Sequence, residues 1–482
     1  MLQISALGIL SAWLFGGSTH FAQAFLVGLS WLALIFYFLH ISEIEQSTSE
    51  SHRTLFFYLT PFLIGLGCYA IGIWNQPVSE IEFEGKAYLA LTQTSQWLPT
   101  TLLPSQSWLP LLLGGGLYLT ALTMLLVIKA EDVARRILVT LCISAAILSL
   151  LGCLQAVLRT ELFLGMISIP VDSLFSIFPH PHGWASFALL WSAAMLGMCS
   201  HYIRHIHINR FLDQGGVWFI VGTSVLMLSV VISGTALHIL LLTLLLGIAS
   251  FDISKNIKSA KRLHKRLFML GGILVISAGI TGFLMTASHA MRTAFYLGYT
   301  PIAGISWAEQ GRLMRDTWEL FLQKPLFGWG DGSFRTMMAF MQESDYGNLS
   351  YSNAHCDLLQ GLMQKGLVGM LAWAVIPVII TIKFLRLPSR RPLSWYLFSG
   401  AVMGLILGLF GFPFQFPAFT FSFWLLLFAA YQWSVIPHLD ALNRQRPELV
   451  FSETLRRTRL KEHHPKEQET LLRKDEASKS SE

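Results

Sequence analysis

The chain has 482 residues and a formal net charge of +6, yet only 13% of its residues are charged and 53% are hydrophobic. Soluble domains carry about 25% charged residues. Half that share, with apolar runs of about 20 residues recurring along the chain, excludes a soluble globular protein and indicates an integral membrane protein. The surplus of Lys and Arg requires no nucleic-acid partner, because polytopic proteins gather these residues in their cytoplasmic loops.

In chain order, the apolar runs predict spans at 2–18, 20–41, 53–75, 107–128, 134–157, 182–201, 215–232, 234–251, 267–286, 366–385, 393–411 and 414–435. That is an all-α polytopic membrane protein of about twelve transmembrane helices. Ala22-Gln23-Ala24 resembles a signal-peptidase site, but Met1–Ser5 holds no basic residue and the apolar run resumes at Phe25. A retained first span is therefore expected rather than a cleaved signal. The 215–251 run is too long for one crossing at 1.5 Å per residue, and Ser233-Gly234-Thr235 is the natural place to break it.

With the N-terminus inside, the inner loops collect Arg53, Lys129, Arg135, Arg136, Arg204, Arg210, the Lys255–Arg266 cluster, Lys383, Arg386, Arg390 and Arg391. The outer loops before residue 286 hold only Lys86 and Arg159. This asymmetry places both termini in the cytoplasm and the long polar loop before the tenth span on the far side. The chain thus divides into a membrane domain, 1–436, with an outer loop at 286–365, and a charged cytoplasmic tail, 437–482. Cys68, Cys142, Cys153 and Cys199 lie in apolar runs and Cys356 stands alone in the outer loop, so no pair reads as a disulfide framework or a metal motif.

A long polar loop in so apolar a chain is expensive to order unless it functions. From Arg312 to Gln323 its spacing is helical, with Met314, Trp318, Phe321 and Leu322 on one stripe and Arg312, Arg315 and Glu319 opposite. Pro325 and Gly328 stop the helix. Two guanidiniums at headgroup level suit a phosphate or diphosphate; the same spacing fits an arginine pair facing water and lipid headgroups. Further on, Asn353 is a good N-cap ahead of Leu358, Leu359, Leu362 and Met363, which places His355 in a first helical turn. The positive end of the helix dipole disfavours imidazolium there, leaving a neutral proton acceptor or a plain capping histidine. His180 and His182 flank Pro181 where the sixth span opens from outside, as a helix-entry turn or as contacts to a sugar or phosphate. They lack a third ligand at zinc spacing.

The run from Pro325 to Phe334 (Pro-Leu-Phe-Gly-Trp-Gly-Asp-Gly-Ser-Phe), then Ala354-His355-Cys356-Asp357-Leu358-Leu359-Gln360 and Gly366-Leu367-Val368-Gly369, resembles the O-antigen ligase family. That family also includes O-antigen polymerases and protein O-oligosaccharyltransferases. The resemblance implies a bacterial inner-membrane glycosyltransferase, inverting and free of metal and cofactor. It would move a glycan from undecaprenyl diphosphate to lipid A core, another glycan or a protein on the periplasmic face. It puts His355 in the place of the family's essential histidine and Arg312 or Arg315 in that of its loop arginine.

Two positions depart from the family pattern. Cys356 stands where Asn is usual. Gly234 follows Ser233 where the family often has Arg, which leaves Arg292 and Arg335 as the outer-loop residues to replace that charge. The reading from another class is a lipid-glycan transporter without chemistry, which would show interrupted spans in paired halves and ionisable residues at mid-membrane. Apart from His238, few such residues appear.

Overall fold

The computed structural model describes residues 1–43, 49–83, 86–92, 94–95, 97–158, 162–163, 167–168, 175–205, 217–234, 236–256, 307–341, 351–387 and 391–445. The expected span at 267–286, Arg292 and tail residues 446–482 lie outside them. The chain separates into two units, Met1–Trp433 and Ser434–Glu482, and the site belongs to the first.

The described helices are α1 Leu2–Trp13, α2 His20–Glu43, α3 Ser49–Gly72, α4 Pro104–Leu126, α5 Glu131–Leu158, α6 Pro181–His205, α7 Val217–Ser233, α8 Ala236–Asn256, α9 Trp307–Gln323, α10 Phe334–Met341, α11 Asp357–Arg386, α12 Pro392–Phe410 and α13 Pro417–Gln445. Seven of them are long and apolar enough to cross a membrane, and α1, α2, α7 and α8 contribute shorter apolar stretches. The protein is an all-α polytopic membrane protein. Two small antiparallel hairpins, β1 Val78–Phe83 with β2 Lys86–Leu91 and β3 Leu162–Phe163 with β4 Ile167–Ser168, are additions that helical periodicity did not predict.

Most observed helices match the expected spans to a few residues. The first ends early: α1 stops at Trp13, and a turn with positive φ at Phe15, Gly16 and Gly17 leads into α2. At 1.5 Å per residue α1 rises only about 18 Å, less than a full bilayer core. The 215–251 run does break at Ser233–Gly234, between α7 and α8. At the other end, α13 continues to Gln445, past the expected tail boundary at 436.

The central helix is α6, packed against α7, α8 and α12. Its Ala185, Ala188, Ala193 and Ala194 are fully buried and let neighbouring backbones approach, as in other helix interfaces within lipid. Several indoles bond across helices: Trp184 donates to Ser229 Oγ at 3.2 Å, Trp191 to Ser422 Oγ at 3.1 Å, and Trp13 to Ser144 Oγ at 2.9 Å. Without water in the hydrocarbon core, each such bond removes a penalty of several kcal/mol, of order 2–7.

At one end of the bundle, Arg391 Nη1 bonds Glu131 Oε2 at 2.6 Å and ties the α4–α5 connection to the start of α12. At the other, the α3–α4 loop, the segment holding α9 and α10, and the α12–α13 turn gather around the head of α11. There, Val78, Leu102, Leu313, Leu320, Trp329, Phe334, Met337 and Met363 form a hydrophobic core separate from that of the bundle. This polar segment is therefore a small folded lobe.

Candidate active site

A clasp fastens this lobe to the bundle. Two chain segments cross with backbone pairing: Leu367 N–H to Pro325 O at 2.8 Å, Val368 N–H to Leu326 O at 3.0 Å, Trp329 N–H to Met363 O at 3.0 Å and Gly330 N–H to Gln364 O at 2.8 Å. So close a crossing needs glycine on both strands. A Cβ on Gly366 (φ +63) would lie 2.3 Å from Leu326 O, and one on Gly328 (φ +70) 2.4 Å from Gln364 O. Gly366 also breaks α11, so the outer part, Asp357–Lys365, is offset from the part that crosses the membrane. Thr100 Oγ1 donates to Gly328 O at 2.7 Å, Trp329 Nε1 to Leu320 O at 2.8 Å, and Lys365 pairs with Asp331. Lys324 lies over the Trp329 ring, bonded to Thr94 Oγ1 at 2.6 Å, and burial lowers its pKa to about 8. The Pro325–Gly330 and Lys365–Gly369 motifs are thus scaffold.

His355 sits just ahead of α11. The Asn353 cap predicted from the sequence is not the one used: the N-cap is Cys356, and His355 precedes it in the left-handed region at φ +53. A non-glycine residue there costs on the order of 1–3 kcal/mol and persists only where its surroundings fix it. They do so on both sides. Gln360 Oε1 accepts the Ala354 N–H at 3.0 Å, and Asp357 N–H donates to Gly411 O at 2.9 Å. The Asp357 carboxylate accepts from Phe414 N–H at 2.8 Å and Gln415 Nε2 at 3.1 Å, holding the α12–α13 turn against the head of α11. That turn sets Phe412 edge-on to the His355 ring, with centroids 4.9 Å apart. Asp357 and Gln360 of the sequence motif are therefore positioning groups for His355.

A second histidine meets the same phenylalanine. His180 is exposed and lies edge-on to Phe412 at 5.9 Å and to Phe416 at 6.1 Å. Two residues on, at the outer end of α6, His182 bonds the Ser233 backbone and stacks on His238 of α8 at 6.5 Å. His238 in turn pairs with Ser186 Oγ at 2.9 Å. Imidazoles from α6, α8 and the α11 entry therefore meet at one end of the bundle. Burial first, then the nearby His180 and His182, hold the His355 pKa down to about 4. The ring is neutral near pH 7, as anticipated, but through burial and neighbouring imidazoles rather than a first-turn dipole.

The arginines are distributed differently. On α9 the buried face is Leu313, Asp316, Thr317, Leu320 and Phe321, continued by Lys324. Of the expected apolar stripe only Phe321 packs inward, while Trp318 and Leu322 are 46% and 55% exposed. Arg315 is exposed and paired within its own helix, to Asp316 at 3.5 Å and Glu319 at 3.8 Å. Arg312, at the border of the buried face, is half-buried. Arg335 lies on the exposed face of α10, opposite Phe334, Met337 and Met338. Arg292 is outside the described residues. Sequence reasoning did not include Phe412, Asp357, Gln360 or His238 in the site. The first lies in the aromatic and Pro-rich run Gly411–Pro417, and the next two lie inside the histidine motif itself.

Gly234 occupies the break where an arginine was missing. A Cβ there would lie 2.4 Å from Val230 O and 2.9 Å from His238 Cβ. Gly234→Arg is expected to lower the thermal midpoint in detergent, by about 1–3 kcal/mol of stability as for other overpacked sites, and to bring no gain in activity. A faster Gly234→Arg enzyme would show instead that the break is an open arginine slot.

Comparison with known families agrees with this architecture. Residues 221–374, about a third of the chain, match the family model described as O-Antigen ligase. The matched region contains the α7–α8 break, α9, the clasp and the His355 turn. Members of that family are enzymes acting on glycans. No curated protein matches the chain.

Proposed function

We propose, from this O-antigen ligase match, that the protein is a bacterial inner-membrane glycosyltransferase. It takes a glycan from a polyprenyl-diphosphate carrier such as undecaprenyl diphosphate and transfers it to an acceptor hydroxyl at the outer mouth of the bundle. The acceptor is the core of lipid A, a further glycan or a protein. The observation that carries this reading is His355, neutral, strained into the left-handed region and pinned by Asp357 and Gln360 beside Phe412. A buried neutral imidazole can accept the proton of an attacking hydroxyl. Attack on the anomeric carbon from the side opposite the diphosphate then inverts that centre. The residues named need no metal for these steps. The test is the purified protein in liposomes with lipid-linked glycan and candidate acceptors: transfer supports the reading, and donor movement without transfer favours a transporter.

The outer mouth is periplasmic in this reading, by the Lys/Arg asymmetry of the loops. A cysteine at the exposed Gly311 should react with an impermeant maleimide in intact spheroplasts, and one at Asp132 should not. The reverse pattern would invert the protein.

The two loop arginines should separate. Arg312, at the packed border of α9, is the better candidate for holding a donor phosphate, and Arg312→Ala should weaken donor use by about 1.5–3 kcal/mol, the scale of a hydrogen bond to a charged group. Arg312→Lys, lacking the fork, should recover only part. Arg315, exposed and paired on its own helix, should matter little: such pairs contribute roughly 0–1 kcal/mol. Equal losses in the two alanine variants, read as KM for the donor, would remove this distinction.

A further inference from the structure

Aromatic rings run from the core of the bundle to the side of His355. Trp184 and Phe178 are fully buried and meet edge-on, with centroids 5.3 Å apart. Phe178 lies 6.2 Å from Phe416, itself 4% exposed, and Phe416 backs Phe412 at 6.0 Å. The series then opens: Phe412 is half-buried and His180 is exposed. The plane of Phe412 stands at 87° to that of His355 and at 83° to that of His180. In an edge-to-face pair, the ring that inserts its edge keeps both faces clear of its partner. Rings crossed in this way leave apolar face available beside the base.

Hydrogen bonds, and not burial alone, put Phe412 there. Phe414 N–H donates to Asp357 Oδ2 at 2.8 Å, Gln415 Nε2 to Asp357 Oδ1 at 3.1 Å, and Asp357 N–H to Gly411 O at 2.9 Å. Asp357 thus fixes Phe412 and the adjoining His355 together. His180 adds a polar edge to the wall. Its side chain makes no hydrogen bond among the described residues, so its ring offers one N–H and one lone pair to a partner. Neither imidazole is charged near pH 7: burial lowers the His355 pKa to about 4, and partial enclosure of the ring lowers that of His180.

The ligand that suits this wall has an apolar face, a polar rim and no charge. A pyranose answers to that description, because its axial C–H bonds form a face that lies on aromatic rings while its hydroxyls line the edge. Ligand sites commonly pair aromatic walls with a few placed polar groups in this manner. A peptide suits it less, since backbone amides would lose water against rings that return few hydrogen bonds. A phosphate calls for cations or clustered N–H donors instead.

We propose that Phe412 and His180 form the seat of the acceptor sugar, laying its ring beside His355, and that the acceptor is therefore a glycan rather than a protein side chain. The proposal rests on the transferase reading above and narrows its acceptor. One hydroxyl of the seated sugar reaches His355 and gives up its proton there, while the seat decides which sugar is taken and how it lies.

The experiment uses the full chain in liposomes with lipid-linked glycan as donor. The acceptor probes are the methyl glycosides of glucose, galactose and N-acetylglucosamine, and a serine peptide with blocked ends. Glycan released to water without any acceptor reports the donor half of the site alone. The wild-type protein should use at least one glycoside with a kcat/KM at least ~10-fold above that of the peptide, the scale on which a shaped pocket discriminates. Phe412→Leu and His180→Ala should each raise the KM for that glycoside by about 3–10-fold, the scale of one aromatic contact, and leave release to water unchanged. Phe412→Tyr keeps the ring and should recover most of the loss. His180→Phe keeps the face without the nitrogens and should recover only part. Trp318→Leu, which removes an exposed ring on α9, should change none of these readouts. Because His180 is exposed, its variants test the seat even where Phe412→Leu fails to insert. Equal losses of transfer and water release with KM unchanged would overturn the seat, since the rings would then serve only to hold His355. So would a preference for the peptide over every glycoside, or release to water by a protein that transfers to no glycoside, and the donor class would survive both. A wild-type protein that neither transfers nor releases glycan would overturn the transferase reading and the seat together.

Discussion

His355→Ala is expected to reduce glycan transfer by about 10²–10⁴-fold, the scale of losing a positioned general base, with donor binding retained. The variant should insert and fold as the parent does, because the side chain stands outside the spans and makes one ring contact, with Phe412. Relief of the left-handed strain is small, since alanine meets the same backbone at φ +53. His355→Gly separates the effects: it relaxes the backbone yet has no proton acceptor, so it should be as inactive as the alanine variant. Added imidazole should restore part of the transfer in His355→Gly if the missing group is the base. Parental transfer rates in either variant would remove the base from His355.

The division of labour in the outer segment was only partly legible in the sequence. Hydropathy located the described spans because burial in lipid imposes a coarse, continuous signal on each run of about 20 residues. The break at Ser233–Gly234 follows from local backbone needs and was visible for that reason, whereas the kink at Gly366 inside α11 was not expected from the sequence, which simply began a span there. The face of α9 was misjudged because periodicity counts apolar residues and cannot know their partners. Trp318 and Leu322 remain exposed, while Asp316 and Thr317 are buried and Lys324 bonds Thr94 from a distant part of the chain. The same limit hid the convergence of His180, His182, His238 and His355. They come from separate stretches of chain and meet only because α6, α8 and α11 all open at one end of the bundle. The sequence motif around His355 holds more than the imidazole: it also contains the pins, Asp357 and Gln360, whose part only the hydrogen bonds reveal.

Gly366→Ala is expected to be as damaging as the loss of His355, by a different route. A Cβ at Gly366 would lie 2.3 Å from Leu326 O and 2.5 Å from Phe327 N, both backbone atoms that cannot rotate away. The φ of +63 adds strain for any residue with a side chain. Together these effects should cost about 3–5 kcal/mol, the range of the most disruptive single substitutions. The damage should be confined to the lobe, since Leu367 onward can still enter the membrane. Limited proteolysis should then cut near the Phe327–Ser333 turn, and donor binding should fall along with transfer, whereas His355→Ala keeps binding. Gly311→Ala is the control: the position is exposed on α9 with open space around it, and Ala favours a helix interior by up to about 1 kcal/mol over Gly. If Gly366→Ala keeps a protease-resistant lobe and parental transfer, the crossing of the two loops is not what holds His355 in place.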